Sequence, residues 1–191
     1  MMDFNILCDR LPHSVRVFGE ELQIKTDFRR WILMLDLLDK CKDKYEHPLD
    51  IITAAKCAMH IVMPDQADRS DLPPVTLVKL LEELAVFASG GVRPSDHTDE
   101  RKRESIQVFD FSCDAELILA SFQREYGIDL TKTSMHWWRF LALLRSLPFD
   151  SDFMRVVKLR MCDTTKISDD DVRRRLRRAK AAVRIKQKTG N

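Results

Sequence analysis

Apolar residues recur at intervals of three and four in five separate segments of this chain, and no other feature of the sequence restricts the fold as strongly. Phe28, Trp31, Ile32, Leu35 and Leu38 form the first set, and Leu49, Ile52, Ala55, Met59 and Val62 the second. Leu77, Leu80, Leu81, Leu84 and Ala88 make a third, Ala115, Ile118, Leu119, Phe122 and Tyr126 a fourth, and residues 137–147 a fifth. That spacing places one apolar stripe along a helix, so each segment predicts an amphipathic helix with a buried face. The punctuation agrees. Thr26 or Asp27 can cap the first helix, Pro48 and Pro74 suit first-turn positions, and Ser112 can cap the fourth, with Asp114 and Glu116 in its positive first turn. Pro64, the Ser-Gly-Gly at 89–91 and Gly127 supply stops. A short helix over Phe153, Val156 and Val157 and a basic helix from about Asp169 complete the set.

The one departure from helical periodicity is "SVRVFGEELQIKT", which alternates. A two-residue turn at Gly19-Glu20 places Val17 opposite Leu22 and Val15 opposite Ile24, with one continuous apolar face. Two strands alone are marginal, so a helix must cover that face. The expected fold is therefore mainly α, a helical bundle of about six to seven helices with a short N-terminal β-hairpin. "GGVRPSDHTDERKRES" is almost free of apolar residues and divides the chain. The expected organisation is a hairpin plus three-helix unit over 1–89 and a charged linker over 90–105. A helical unit with the paired tryptophans follows over 106–163, and the basic helix occupies 164–191.

Several function classes are set aside at this stage. The five cysteines, Cys8, Cys41, Cys57, Cys113 and Cys162, are widely spaced with no Cys-x-x-Cys pair, which points to reduced thiols. The start of the chain lacks the basic and apolar regions of a secretory signal, and no apolar run is long enough to cross a membrane. A cytosolic protein is expected. Cys57 and His60 share a helix face, but no second pair completes a metal site, and core packing is the simpler reading. His13, His47, His97 and His136 form no constellation, and nucleophile-elbow, phosphate-loop and zinc-protease motifs are missing. No enzyme, no metal and no cofactor is expected.

"TSMHWWRFLALLRSLPF" raises a different question, because neighbours on a helix point about 100° apart. Trp137, Phe140, Leu141, Leu143, Leu144 and Leu147 fall within an arc of roughly 160° and form the core face. Trp138 falls about 60° beyond that arc, on the flank with Arg145 and Ala142. Either another part of the monomer covers it, or Trp138, Arg139 and Arg145 form a partner-binding surface of the kind that tryptophan and arginine anchor.

The last segment, "ISDDDVRRRLRRAKAAVRIKQKTGN", is the most polarised. Ser168 can cap the helix, Asp169, Asp170 and Asp171 face the positive end of its dipole, and Ile167 can staple onto Val172. From Val172 onward there are nine Lys or Arg and no acid, whereas the remaining residues hold 23 Lys or Arg against 30 Asp or Glu, a formal charge of −7. The overall +2 hides a bipolar molecule. Val172, Leu176, Ala179 and Val183 give the basic helix a narrow apolar seam. Arg173, Arg174, Arg175, Arg177, Arg178, Lys180 and Arg184 can therefore serve self-association or an anionic protein partner. Nucleic acid is the second choice, because no aromatic residue is interleaved to stack on bases.

"FDFSCDAELILASFQREYGIDL", then "SMHWWRFLALLRSLP" and "FMRVVKLR", together with the opening "LPHSVRVFGEELQIKTDFRRWI", resemble the bacteriophage family called gene product fifteen. Its members belong to the tail-morphogenesis genes of long-tailed phages and prophages. The family has an aromatic before the arginine where this chain has Leu159-Arg160, and residues 65–105 match it only loosely. The resemblance implies a tail assembly chaperone without catalytic residues. Such a protein would coat the tape-measure protein, and meet the tail tube protein, during tube polymerisation in the host cytoplasm. It would leave before the virion is complete. The resemblance also accords with a homo-oligomer and with no membrane partner.

Overall fold

The computed structural model describes residues 9–41, 48–69, 72–91 and 108–185. They form a mainly α-helical protein, with strands β1 (Ser14–Val17) and β2 (Glu20–Gln23) followed by seven α-helices among the described residues. These are α1 (Phe28–Cys41), α2 (Pro48–Val62), α3 (Pro74–Ala88), α4 (Ala115–Tyr126), α5 (Trp137–Arg145), α6 (Asp152–Met161) and α7 (Asp170–Ala182). Short 3-10 turns lie at Pro64–Arg69 and Thr164–Lys166. The chain divides into two compact units, residues 1–96 with 134–142, and residues 97–133 with 143–191.

In the first unit the hairpin and α1 to α3 pack together as the apolar spacing requires. The turn, however, falls one residue earlier than Gly19-Glu20. Val15 pairs with Leu22 and Val17 with Glu20, so the turn residues are Phe18 and Gly19, at φ 48° and 87°. Positive φ at both positions matches the right-handed twist of the strands, and Gly19 adopts it without steric cost. This register sets Arg16 opposite Glu21, and it lets Ile24 donate to the His13 carbonyl at 2.8 Å. Because the change moves the pairing by an even number of residues, Val15, Val17 and Leu22 keep the same buried face. Asp27 caps α1, its carboxylate accepting from the Arg29 amide at 3.0 Å. Trp31, Met34, Ala55, Ala58, Val62, Leu80 and Leu84 are fully enclosed.

The paired-tryptophan segment does not belong wholly with the second unit, as the sequence division implied. Residues 134–142 are part of the first. Trp137 donates its amide to Thr26 at 2.7 Å, and Phe28 donates to Met135 at 3.0 Å, a backbone bridge that seats the start of α5 beside the start of α1. Side-chain periodicity cannot reveal a backbone pairing between residues so far apart. The linker expected over 90–105 lies, from residue 92 onward, outside the described residues.

The second unit contains a feature absent from the amphipathic pattern. Asp114, expected in the first turn of α4, is instead the residue that flanks it, and its side chain does not cap the helix. It is buried and grips Arg160 of α6 through two bonds, 2.6 and 2.8 Å, while accepting from the Asp110 amide at 3.0 Å. Arg160 also donates to the carbonyls of Val108 at 3.2 Å and Val183 at 2.6 Å. Ser112 is not the cap either, since Asp110 accepts from the Ser112 and Cys113 amides and builds the turn that leads in. Ile118, Phe122, Phe153 and Val157 form the apolar core around this pair, and Gly127, at φ 65°, ends α4 as expected. A buried ion pair contributes little net stability, yet losing one partner strands the other charge. Arg160→Met should lower stability by about 3–5 kcal/mol. Combining Arg160→Met with Asp114→Leu should recover much of that loss, as read by chemical denaturation.

Candidate functional site

Trp137 and Trp138 part company as the helical angle requires. Trp137 is 1% exposed, stacked between Trp31 (centroids 6.4 Å) and Phe140 (5.6 Å), and its indole N–H donates to the Ala88 carbonyl at 2.9 Å. Phe140, Leu141, Leu144 and Leu147 of the same arc are buried, and Leu143 is half-buried. Trp138 is half-buried, and the end of α3 covers it. Its indole N–H donates to the Phe87 carbonyl at 2.8 Å, its ring packs on Phe87 at 5.1 Å, and it closes over Gly91, where a Cβ would approach to 2.9 Å. Two adjacent indoles thus bond two adjacent carbonyls at the end of α3, the Phe87 carbonyl accepting from the Gly90 amide as well.

His136 completes this corner. Its Nε2 bonds the Pro12 carbonyl at 2.9 Å and its Nδ1 accepts from the Trp138 amide at 3.1 Å, a combination that requires the neutral ring with the proton on Nε2. Burial pushes its pKa below the ordinary imidazole value, and the His13 ring 5.5 Å away acts in the same direction, against the bond to Pro12. Nothing in the sequence pattern singled out His136, because its role depends on the distant Pro12 carbonyl as well as on the neighbouring Trp138 amide. Arg139 and Arg145, grouped with Trp138 as a candidate surface, are both exposed. Cys57 is half-buried, and His60, expected in the core, faces solvent. Among the described residues no group of three or more His, Cys, Asp or Glu could hold a metal ion.

The basic helix in the second unit is sorted by its tethers. Asp169 rather than Ser168 is the cap, its carboxylate accepting from the amides of Asp171 and Val172, because Asp169 sits directly before the first helical residue. Arg173 pairs with Asp170 and donates to the Ile167 carbonyl at 2.9 Å. Lys180 donates to the Cys162 carbonyl at 2.8 Å, and Arg174 lies 3.5 Å from Asp171. The guanidinium groups of Arg175, Arg177, Arg178 and Arg184 are exposed and have no partner among the described residues. No residue of α7 is fully buried; Leu176 and Val183 are half-buried, Ala179 is exposed, and Val172 is 43% exposed.

The two surfaces thus differ in kind, one an indole-and-histidine corner tied to its own unit, the other a cationic helix face open to solvent. They belong to a mainly α-helical protein with a short hairpin at its N-terminal side. The chain belongs to the bacteriophage Gp15 protein family, whose model matches residues 7–185, and it is therefore a phage protein. No curated protein and no solved structure matches it. No described helix is long and apolar enough to cross a membrane.

Two outcomes test the tryptophan corner. Trp137→Ala should cost about 3–5 kcal/mol, as a large core truncation, whereas Trp138→Ala should cost about 1–3 kcal/mol from a lost hydrogen bond and partial packing. Equal losses in urea denaturation would place both indoles in the core. The pH dependence follows from His136. The unfolded chain takes up a proton near pH 6.5 and the folded chain only at lower pH, so this stabilisation is complete above that value and is lost as pH falls through the folded value. Replacing His136 with Asn should flatten the thermal-stability profile between about pH 7 and 5 relative to the parent protein.

Proposed function

We propose that this phage protein is a non-enzymatic tail assembly factor, a chaperone that covers the tape-measure protein while the tail tube polymerises. The match to the bacteriophage Gp15 protein family over residues 7–185 carries the reading. The physical character of the chain supports it. A long apolar helical polypeptide aggregates if left exposed, and a chaperone for it needs many copies with a reversible grip. The open cationic face of α7, on a chain whose residues before Val172 sum to −7, suits salt-sensitive and therefore reversible attachment. The same opposition of charge supports head-to-tail association of copies along the client, an arrangement that need not close into a ring. In this reading the protein acts in the host cytoplasm and leaves before the virion is complete.

The unpartnered guanidinium groups of α7 also favour a second reading, a nucleic-acid-binding prophage protein. One set of measurements separates the two. The chaperone should co-purify with the large tape-measure protein of the same phage, be missing from finished particles by mass spectrometry, and leave duplex DNA unbound at physiological salt. Stoichiometric presence in virions would end the chaperone reading. DNA affinity that disappears in an Arg175→Glu, Arg178→Glu variant would establish the alternative.

A further inference from the structure

The attachment of α7 to its own unit is polar. Two points tie it to α6 and its end, each a cation bonded to a backbone carbonyl, Lys180 to Cys162 and Arg160 of α6 to Val183, while Arg173 bonds Ile167 just ahead of the helix. Its seam is incompletely covered, with Val172 and Ala179 exposed. If α7 leaves, Arg160 loses only its Nε bond to Val183 and keeps both bonds to Asp114 and the one to Val108. The buried ion pair of the second unit therefore survives release of the helix, and no core residue is withdrawn with it.

The seam itself has the spacing of a coiled-coil stripe. Val172, Leu176, Ala179 and Val183 stand four, three and four residues apart, with Arg173 and Lys180 flanking one side and Arg175 the other. Charges in flanking positions set partner choice, and three cations there select acidic residues. A nucleic acid would satisfy the cations but has nothing to cover Val172 and Ala179, whereas an acidic amphipathic helix satisfies both. We propose that α7 is a releasable arm that swings from α6 to pair, seam to seam, with an acidic amphipathic helix of a partner protein. This names a partner chemistry for the assembly role above and rests on that role only for the identity of the natural helix.

The test uses the full chain and a synthetic peptide of about three heptads with Leu in the seam and Glu in the flanking positions. The peptide should bind, and Arg175→Glu should weaken it at least about tenfold. Arg178→Glu, on the outer face of α7, should change it less than about twofold. Arg184→Pro forces Val183 out of its present near-helical backbone (ψ 11°) and swings its carbonyl off Arg160. That variant should bind about tenfold more tightly, because the undocked form is more populated. It should also speed hydrogen exchange in α7 while leaving α4 protected. Thermal melts check that each surface variant is folded.

Absence of peptide binding by both the parent and Arg184→Pro would overturn the proposal. So would equal weakening by the two charge reversals, which marks unspecific attraction, or displacement of the peptide by single-stranded DNA at physiological salt. Sedimentation showing dimers that Arg175→Glu abolishes would replace the acidic partner with a second copy. Each of these results leaves the co-purification test of the tail role standing.

Discussion

The backbone bridge between residues 26–28 and 135–137 is the constraint on which the first unit depends. Two hydrogen bonds, Trp137 to Thr26 and Phe28 to Met135, bring the start of α5 against the start of α1. Around them Phe28 stacks on Phe140 at 4.7 Å and Trp31 on Phe87 at 4.5 Å, so the aromatic core draws on α1, α3 and α5 together. Asp27 reinforces the bridge. Burial pushes its carboxyl up, but the Ser134 hydroxyl, the Arg29 amide and the Arg29 guanidinium outweigh that effect and hold it below the usual carboxylate range. The cap of one helix is thereby also a tie to the segment that begins another.

The second unit is organised by a buried charge rather than by aromatic stacking. Arg160 joins the approach to α4, its own helix and the end of α7, and almost every donor of its guanidinium group is used. A guanidinium is suited to this role because its planar fork meets a carboxylate with two parallel bonds and still has donors to spare. None of the bonds between Arg160 and Asp114 or Val108 involves the basic helix, so the ion pair and the exposed cationic surface rest on separate contacts.

Periodicity made most of the fold legible. The apolar sets at residues 28–38, 49–62 and 77–88 became α1, α2 and α3, the ends marked by Pro48, Pro74 and Gly127 were found, and Trp137 and Trp138 separated by angle alone. What was missed has two causes. The neutral His136 and the Asp114–Arg160 pair depend on groups brought together from distant positions, while the hairpin turn was displaced because alternation is unchanged by a register shift of two residues. Asp114 looked like a helix-start acid because that is the common use of an acid at such a place, and only Arg160 reveals the other.

Local physics in the sequence determined which stretches are helical, which face of each is apolar, that a hairpin precedes the helices, and that cationic charge gathers on the last helix. Those properties arise from side-chain spacing and backbone preference within a few residues. The tertiary structure alone decided that α5 begins in the first unit, which indole is covered and by what, and which of the basic residues are tethered and which are open to solvent. Such choices rest on hydrogen-bond partners far along the chain, and a pattern of residue types leaves those partners unspecified.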